Sequence, residues 1–404
     1  MHIGFVNFNT DEKKRVAKMM QTLKEQEAVE ELGIGRVRDH FSNTLFPGTS
    51  TLQHHAKYFV VLPWIYYNAI TGEKGFKNRQ EVNRYIREQE ILLTISLDEG
   101  NPGRTGITGK EKLAAAKTDY TQYVKYNPTY IYSSGMCKYG IVANTNIEKL
   151  ILDLNRAHND ELTEENEQKI DCSEFIATCG ENYDLGPKKP LSLDLTKKES
   201  EFIKDKIMAL EGDPMLKQLI IWQEKQDPKY EMTDYFEAGK FVVKHPQEKL
   251  YRHSVIFSKL IHILDWRYNY VYYNSFHAMD PNAGYEEKAK KCDKEYEDLR
   301  GKFIDTYDQE RVGEMLAYIG TIDHDLTKFC RECYDAILKN TPDSKAQIDW
   351  LIKEREAGVK TRKRSKIGNT AYKGKDRIAP QPIEYRWTTV KEIVTEIAKA
   401  QFKE

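Results

Sequence analysis

A short basic segment, residues 360–377, carries the clearest candidate chemistry in the sequence. Eight of its 18 residues are Lys or Arg and one is acidic, although the whole chain has a net charge of −1. Because each Lys or Arg that contacts a phosphate releases counterions, this composition predicts binding to DNA or RNA. Tyr372 is placed either to stack on a base or to pack. A solvated surface loop and a docking site for an acidic protein face are the alternatives. The predicted phosphate contacts are Lys360, Arg362, Lys363, Arg364, Lys366, Lys373, Lys375 and Arg377.

A second candidate lies at residues 33–59, where the pair Pro47-Gly48 interrupts two helical patterns. The arrangement resembles a helix-turn-helix unit, with a first helix over 36–46 and a second capped at residues 49–51. The start of a helix exposes backbone N–H groups that bind anions, and polar side chains in its first turns would reach phosphates or base edges. The alternative is a capped core helix whose polar turn faces water. The predicted contacts are Thr49, Ser50, Gln53 and Lys57.

Metal and catalytic signals are weaker. The Cys330-x-x-Cys333 pair would need a second pair of ligands to form a structural zinc site, and none follows at the usual spacing. The two cysteines continue an apolar helical stripe, so we predict that they are small core residues. The sequence has no Walker A, G-x-G-x-x-G, G-x-S-x-G or H-E-x-x-H motif. Glu286-Glu287-Lys288 echoes a fragment of metal-nuclease patterns that is common by chance. We therefore predict no catalytic residue, no metal and no cofactor.

The elements that must position these residues are almost all helical. A stretch over 249–277 is apolar on nearly every side, which predicts a long central helix, and a weak alternation at residues 2–8 is the main strand signal. We predict a mainly α, two-lobed, multi-helix protein with few short strands. Its predicted parts are an N-terminal helical lobe with the helix-turn-helix-like unit at 1–155, a linker or insertion at 156–190, and a C-terminal helical lobe at 191–404 that includes the basic segment. Further helices are predicted at about 284–300, 303–319, 326–339 and 343–357.

Composition excludes several classes of protein. The chain has 404 residues, of which 40% are apolar and 31% are charged, so it can build a substantial core. A net charge of −1 argues against a globally basic nucleic-acid coat and against an acidic disordered chain. Six cysteines are too sparse for a disulfide framework and fit a reducing cytoplasm. The amino-terminal residues do not resemble a signal peptide, and no apolar run is long enough to span a bilayer. We expect a cytoplasmic protein.

Several segments taken together resemble one known family. The most specific segment is LFPGTSTLQ, followed by YF and PWIY, within residues 31–66. The other segments occur in the order of the family: IGFVNF near the start, YNPTYIYSSGMCKYGI, LSLDLTKKESEFIKDKI and IEYRWTTVKEIVTEI. The chain is similar in this respect to bacterial domain-of-unknown-function family 6361, over nearly its whole length. The family carries no established activity. The resemblance implies a setting in bacterial defence islands, near helicases, phospholipase-D-type nucleases and DNA methyltransferases.

Three functional hypotheses follow. The first is a non-enzymatic, nucleic-acid-engaging accessory or sensor subunit of a bacterial anti-phage defence or DNA-modification system, with DNA as its expected partner. The second is a protein–protein adaptor for a helicase or nuclease partner, suggested by many capped helices and by the aromatic stretch at 266–276. The third is a divergent metal-dependent nuclease whose acidic residues are scattered along the sequence. No membrane partner is expected.

Overall fold

The structure, a computed structural model, describes most of the chain, and all structural statements below refer to these residues. They are 31–72, 75–116, 119–161, 171–226, 232, 234–238, 247–360 and 364–402. The predicted mainly α class is confirmed, because these residues form α-helices, short 3-10 turns and no β-strand. One isolated antiparallel bridge joins Val142 to Ile176. The strand predicted at 2–8 lies outside the described residues.

The described α-helices are numbered here in chain order. They are α1 (Gly35–Leu45), α2 (Tyr58–Thr71), α3 (Arg79–Gly100), α4 (Leu113–Ala116), α5 (Pro128–Lys138), α6 (Ile147–Glu161), α7 (Lys197–Met208), α8 (Met215–Gln223), α9 (Glu248–His277), α10 (Tyr285–Thr306), α11 (Gln309–Gly320), α12 (His324–Lys339), α13 (Pro342–Lys360) and α14 (Trp387–Ala400). None of them is long and apolar enough to cross a membrane.

The described residues fall into two compact units. The first combines residues 31–42 with 248–385, and the second combines 43–247 with 386–402. These divisions lie elsewhere along the chain than the lobes predicted from sequence, which were separated by 156–190. A sequence pattern shows where local structure is polar or breaks, but it does not show which distant segments pack together.

The first unit is built around α9. Its residues are buried along nearly the whole length, as its apolar composition predicts, and α10, α11 and α13 pack against it. Cys330 and Cys333 lie on the buried stripe of α12 and are fully buried, which agrees with the predicted core role. All six cysteines of the chain are free.

The second unit is organised around α2. Ten of the 14 residues of this helix are buried, including Tyr58, Phe59 and Tyr66, so it forms core and presents little surface. The helix begins at Tyr58, whereas the sequence pattern predicted a start at 49–51. The predicted start of the second helix in the helix-turn-helix unit is therefore wrong, because residues 49–57 form turns and irregular backbone.

The spacing Thr-x-x-Glu predicts capping boxes at Thr108, Thr196 and Thr389. The one at Thr196 is present at the start of α7. The other two are wrong, because Gly109 precedes the short turn at Lys110–Lys112 and α14 already begins at Trp387.

Candidate functional site

Residues 364–377, most of the predicted basic segment, form an ordered loop on the helices of the first unit. This loop is called the basic strap below. Its backbone is fastened by side chains of those helices. The Glu356 carboxylate on α13 accepts hydrogen bonds from the backbone N–H groups of Lys366, at 2.8 Å, and Ile367, at 3.2 Å. The backbone N–H of Gly368 donates to the Ser275 hydroxyl on α9, at 3.0 Å. The start of the strap is therefore held in one conformation by these helix side chains.

Two tyrosine hydroxyls fasten the other end of the strap. The backbone N–H of Gly374 donates to the hydroxyl of Tyr285, at 2.7 Å, and the backbone N–H of Arg377 donates to the hydroxyl of Tyr273, also at 2.7 Å. Tyr273 belongs to the aromatic stretch at 266–276 that the sequence singled out. This stretch packs mostly inside the first unit, so it supports the basic strap and offers little surface for an adaptor partner.

One fully buried carboxylate, that of Glu31, forms ion pairs with three cations of the basic segment. Arg377 donates to both of its oxygens, at 2.9 and 2.5 Å. The ammonium of Lys366 lies 2.6 Å from the same carboxylate, and that of Lys360 lies 3.4 Å from it. Three positive charges face one negative charge, so the cluster keeps an excess of positive charge. The sequence pattern did not identify Glu31, because nothing in its neighbourhood along the chain indicates a partner more than 300 residues away.

Nearby side chains reinforce this excess. Burial raises the pKa of the Asp265 carboxyl well above its usual range, and the charge of Glu31 adds to this effect while Arg377 opposes it. Asp265 therefore contributes less negative charge than an exposed aspartate would. Burial disfavours the charged form of Arg377, yet the Glu31 carboxylate raises the pKa of its guanidinium overall. The guanidinium also lies over the ring of Tyr268, at 5.3 Å from the centroid.

The strap and the cation cluster border a pocket of about 420 Å³. The ring of half-buried Tyr372 has the ammonium of Lys375 at 4.8 Å and that of Lys366 at 5.6 Å from its centroid. The hydroxyl of Tyr272 donates to the carbonyl oxygen of Tyr372, at 2.9 Å, and so holds the loop that carries this ring. Such a concave site, rich in cations and with an aromatic ring, is suited to a phosphate and a planar group. The pocket is lined by Tyr272, Lys360, Lys366, Tyr372, Lys375, Asp376 and Arg377.

The remaining cations of the basic segment are placed differently. Arg364 is exposed on the strap, whereas Lys373 forms an ion pair with Asp280, at 3.0 Å. Arg362 and Lys363 lie outside the described residues. The structure thus brings Lys360, Lys366, Lys375 and Arg377 of the predicted set together around one pocket.

Three of the four residues in the second predicted set of phosphate contacts, Thr49, Gln53 and Lys57, are buried in the second unit. Thr49 is buried and its hydroxyl donates to the carbonyl oxygen of Phe46, at 2.7 Å. Gln53 is 1% exposed, and its side-chain oxygen accepts from the backbone N–H of Ser50, at 3.0 Å. These bonds close the turn on itself. We therefore correct the predicted role of Thr49 and Gln53 from ligand contact to turn formation. Ser50 is half-buried, and its predicted phosphate contact stays a prediction.

Lys57 is likewise part of the core. Its side chain is 4% exposed and its ammonium donates to both oxygens of Glu199 on α7, at 2.6 and 2.7 Å. The hydroxyl of Tyr183 donates to the same carboxylate, at 2.7 Å. The predicted phosphate contact of Lys57 is corrected for this physical reason: a buried, bidentate ion pair occupies its charge.

Another buried carboxylate in the second unit, Glu90 on α3, accepts hydrogen bonds from neutral donors. Its oxygens accept from the side-chain amide of Asn127, at 2.7 Å, and from the backbone N–H of Thr129, at 2.6 Å. Burial raises the pKa of the Glu90 carboxyl from 4.5 to about 7, although both hydrogen bonds favour the charged form. Burial also disfavours charge on His55, but the hydrogen bond and charge of Glu396 outweigh it and raise the pKa of the imidazole.

The raised pKa values of Glu90 and His55 predict that the protein is less stable at alkaline pH. In both cases the folded state holds a proton at a pH where the unfolded chain has released it, so stability falls as pH rises through the folded pKa. From about pH 5.5 to about pH 8, Glu90 alone is expected to lower the free energy of unfolding by about 2 kcal/mol. Urea denaturation at both pH values measures this. Glu90→Gln should lose that part of the pH dependence, whereas the exposed control Glu111→Gln should keep it; equal pH dependence in the two variants would contradict the assignment.

Metal binding has no visible site in the part of the chain that the structure describes. No group of three or more His, Cys, Asp or Glu side chains there is arranged to hold a metal ion.

The described residues form a mainly α structure with a preorganised, cation-rich and tyrosine-lined pocket. The chain matches the family described as Family of unknown function (DUF6361) over residues 1–401, so it belongs to that family. The resemblance seen in the sequence is confirmed at this level. No curated protein and no solved structure matches the chain.

Proposed function

We propose that this protein binds nucleic acid through the basic pocket of its first unit. The observation that supports the proposal is the convergence of Lys360, Lys366, Lys375 and Arg377 beside the ring of Tyr372. Cations of this kind neutralise backbone phosphates, and an aromatic ring beside them provides a stacking face for any base.

The size and rigidity of the pocket favour a single-stranded or unpaired nucleotide over an intact duplex. A cavity of about 420 Å³ is within the range that admits a small ligand, but it is too small for a helix with both strands. The strap is fastened at Lys366, Ile367, Gly368, Gly374 and Arg377 before any ligand arrives. Little conformational entropy is then lost on binding, which increases affinity.

The biological setting is a separate part of the proposal. A role as a non-enzymatic accessory or sensor subunit of a bacterial anti-phage defence or DNA-modification system, in the cytoplasm, follows from the family resemblance and stays a prediction. The adaptor alternative is weaker, because the aromatic stretch at 266–276 that suggested it is largely buried.

Reversing two exposed charges of the strap tests the proposal: Lys375 lines the pocket, and Arg364 begins the strap. The double variant Arg364→Glu/Lys375→Glu should weaken binding to labelled single-stranded DNA, and the slope of log K against log salt should become shallower by about 2. Both side chains are exposed, so folding should be unaffected. The measurement is fluorescence anisotropy with single- and double-stranded DNA at several salt concentrations, and the wild type should bind the single strand more tightly.

A matched control is available in the same unit. Lys328 and Arg331 are exposed on α12, so Lys328→Glu/Arg331→Glu makes the same change in net charge away from the pocket. If the control loses as much affinity as the pocket variant, binding follows overall charge and the pocket is not the site. Absence of binding by the wild type at low salt would overturn the proposal as a whole.

A further inference from the structure

The second unit contains a larger polar cavity that plays no part in the proposal above. Its volume is about 740 Å³. Three of its residues, Arg79, Asn83 and Arg87, follow one another at intervals of four along α3 and so lie on one face of that helix. The complete lining is Arg79, Gln80, Asn83, Arg87, Tyr120, Thr121, Asn146 and Glu148.

A short relay of hydrogen bonds positions the guanidinium of Arg87 in this lining. The Nε of Arg87 donates to the side-chain oxygen of Asn83, at 3.1 Å. The side-chain nitrogen of Asn83 donates in turn to the Glu148 carboxylate, at 3.1 Å. Asn83 therefore holds Arg87 from one side, and among the described residues neither Nη atom of Arg87 has an acceptor. Two terminal nitrogens of a fixed guanidinium match the spacing of two oxygens of a phosphate.

The rest of the lining adds a second cation, neutral polar groups and an aromatic ring. Arg79 is exposed, and none of the residues described around it accepts a hydrogen bond from its guanidinium. Asn146 precedes the first residue of α6 and caps it, because its side-chain oxygen accepts from the backbone N–H of Lys149, at 3.2 Å; it adds a neutral polar group to the lining. Tyr120 contributes a ring whose centroid lies 5.4 Å from the guanidinium carbon of Arg84. Two arginines against the single carboxylate of Glu148 leave a net positive site.

We propose that this cavity binds a small molecule that carries a phosphate group and a planar ring, which is the chemistry of a nucleoside phosphate. Arg79 and Arg87 bind the phosphate, and Tyr120 contacts the ring. The volume is within the range of about 300–1,000 Å³ that is usual for small-molecule pockets. Asn83 acts as a positioning residue, because it touches Arg87 and fixes its orientation. This site lies in the second unit and shares no residue with the basic pocket.

Ligand-induced stabilisation tests the proposal on the full chain. The probes are inorganic phosphate, AMP and ATP, and the measurements are the midpoint of thermal unfolding and isothermal titration calorimetry. A nucleotide should raise the midpoint of the wild type and bind more tightly than inorganic phosphate does.

Arg79→Gln/Arg87→Gln should weaken nucleotide binding by about 10- to 100-fold, since each lost charge-assisted hydrogen bond is costly. Asn83→Ala should weaken it less. Arg87→Lys keeps the positive charge but removes the planar guanidinium. A loss of affinity in this variant would show that binding needs the guanidinium and not only its charge.

Controls separate this site from the basic pocket and from loss of folding. Lys112→Gln/Lys138→Gln removes two exposed charges elsewhere in the second unit and should bind nucleotide as the wild type does. Arg364→Glu/Lys375→Glu should also retain nucleotide binding, whatever its effect on DNA. Thr121→Trp, at an exposed position on the rim, should block binding while the arginines stay in place.

Three results would overturn the proposal. They are absence of binding by every probe at millimolar concentration, equal nucleotide affinity in the wild type, Arg79→Gln/Arg87→Gln and Thr121→Trp, and loss of oligonucleotide binding alone in these two variants. The last would assign the cavity to a polynucleotide.

Discussion

Replacing Lys57 by methionine is expected to lower the free energy of unfolding by about 3 to 5 kcal/mol, the cost of leaving one member of a buried ion pair without its partner. Methionine approximates the length of the lysine stem but removes the charge that both oxygens of Glu199 accept. Glu199 would keep the hydroxyl of Tyr183 as a donor, but its negative charge would no longer be neutralised. Chemical denaturation measures the change, and Trp64, whose ring lies 5.4 Å from that of Tyr183, provides a local fluorescence signal.

A second substitution distinguishes the lost charge pair from lost packing. Lys57→Met/Glu199→Gln removes the orphaned charge and should recover part of the stability, because a neutral pair no longer requires compensation. Lys198→Met is the matched control: its ammonium pairs with Glu181 at the surface and should contribute little. If Lys57→Met instead keeps wild-type stability and loses affinity for DNA, the phosphate contact inferred from the sequence is right and the buried role is wrong.

Glu31→Gln should be comparably destabilising and should change how the protein responds to anions. The substitution leaves Lys360, Lys366 and Arg377 close together without the carboxylate that they share. Removing one partner from such a buried cluster costs about 3 to 5 kcal/mol. An anion from solution can then take the place of the missing charge, so sulfate should raise the unfolding midpoint of Glu31→Gln by more than that of the wild type.

Asp265 provides a further test of the prediction for Glu31→Gln. The charge of Glu31 is, after burial, one reason why the pKa of the Asp265 carboxyl is raised, so its loss should allow Asp265 to ionise more readily and to recover some stability. The double variant Glu31→Gln/Asp265→Asn should therefore be less stable than Glu31→Gln. Glu286→Gln, which removes an exposed partner of Lys290, is the control and should have little effect. Wild-type stability and an ordinary response to sulfate in Glu31→Gln would contradict the cluster.

The helical elements were accessible from the sequence because they depend on local signals. The helix predicted over 249–277 is observed as Glu248–His277, since a run of apolar residues indicates a buried helix wherever its partners lie. The capping box at Thr196 was predictable for the same reason. The start of α2 was not. Thr49-Ser50-Thr51 has the composition of a cap, but the hydroxyl of Thr49 bonds back to Phe46 and the chain turns before Tyr58.

The candidate site was predictable in composition and unpredictable in geometry. The charge asymmetry of residues 360–377 indicated an anion site, and four of its cations border the pocket. Nothing local showed that Glu31 would gather three of them, or that Lys57 would pair with Glu199. Both are contacts between residues far apart in the chain. The role of a lysine therefore depends on which carboxylate the fold brings to it, and a single sequence does not show that.

The fastening of the basic strap has an evolutionary consequence. Backbone amides hold its path, through Glu356, Ser275, Tyr285 and Tyr273, whereas the exposed side chains of Arg364 and Lys375 take no part in it. Mutation at these two positions is therefore largely uncoupled from folding. The ligand preference of the strap can therefore change by mutation at these two positions, while folding continues to constrain the residues that hold its backbone. The strap is thus an evolvable part of the protein.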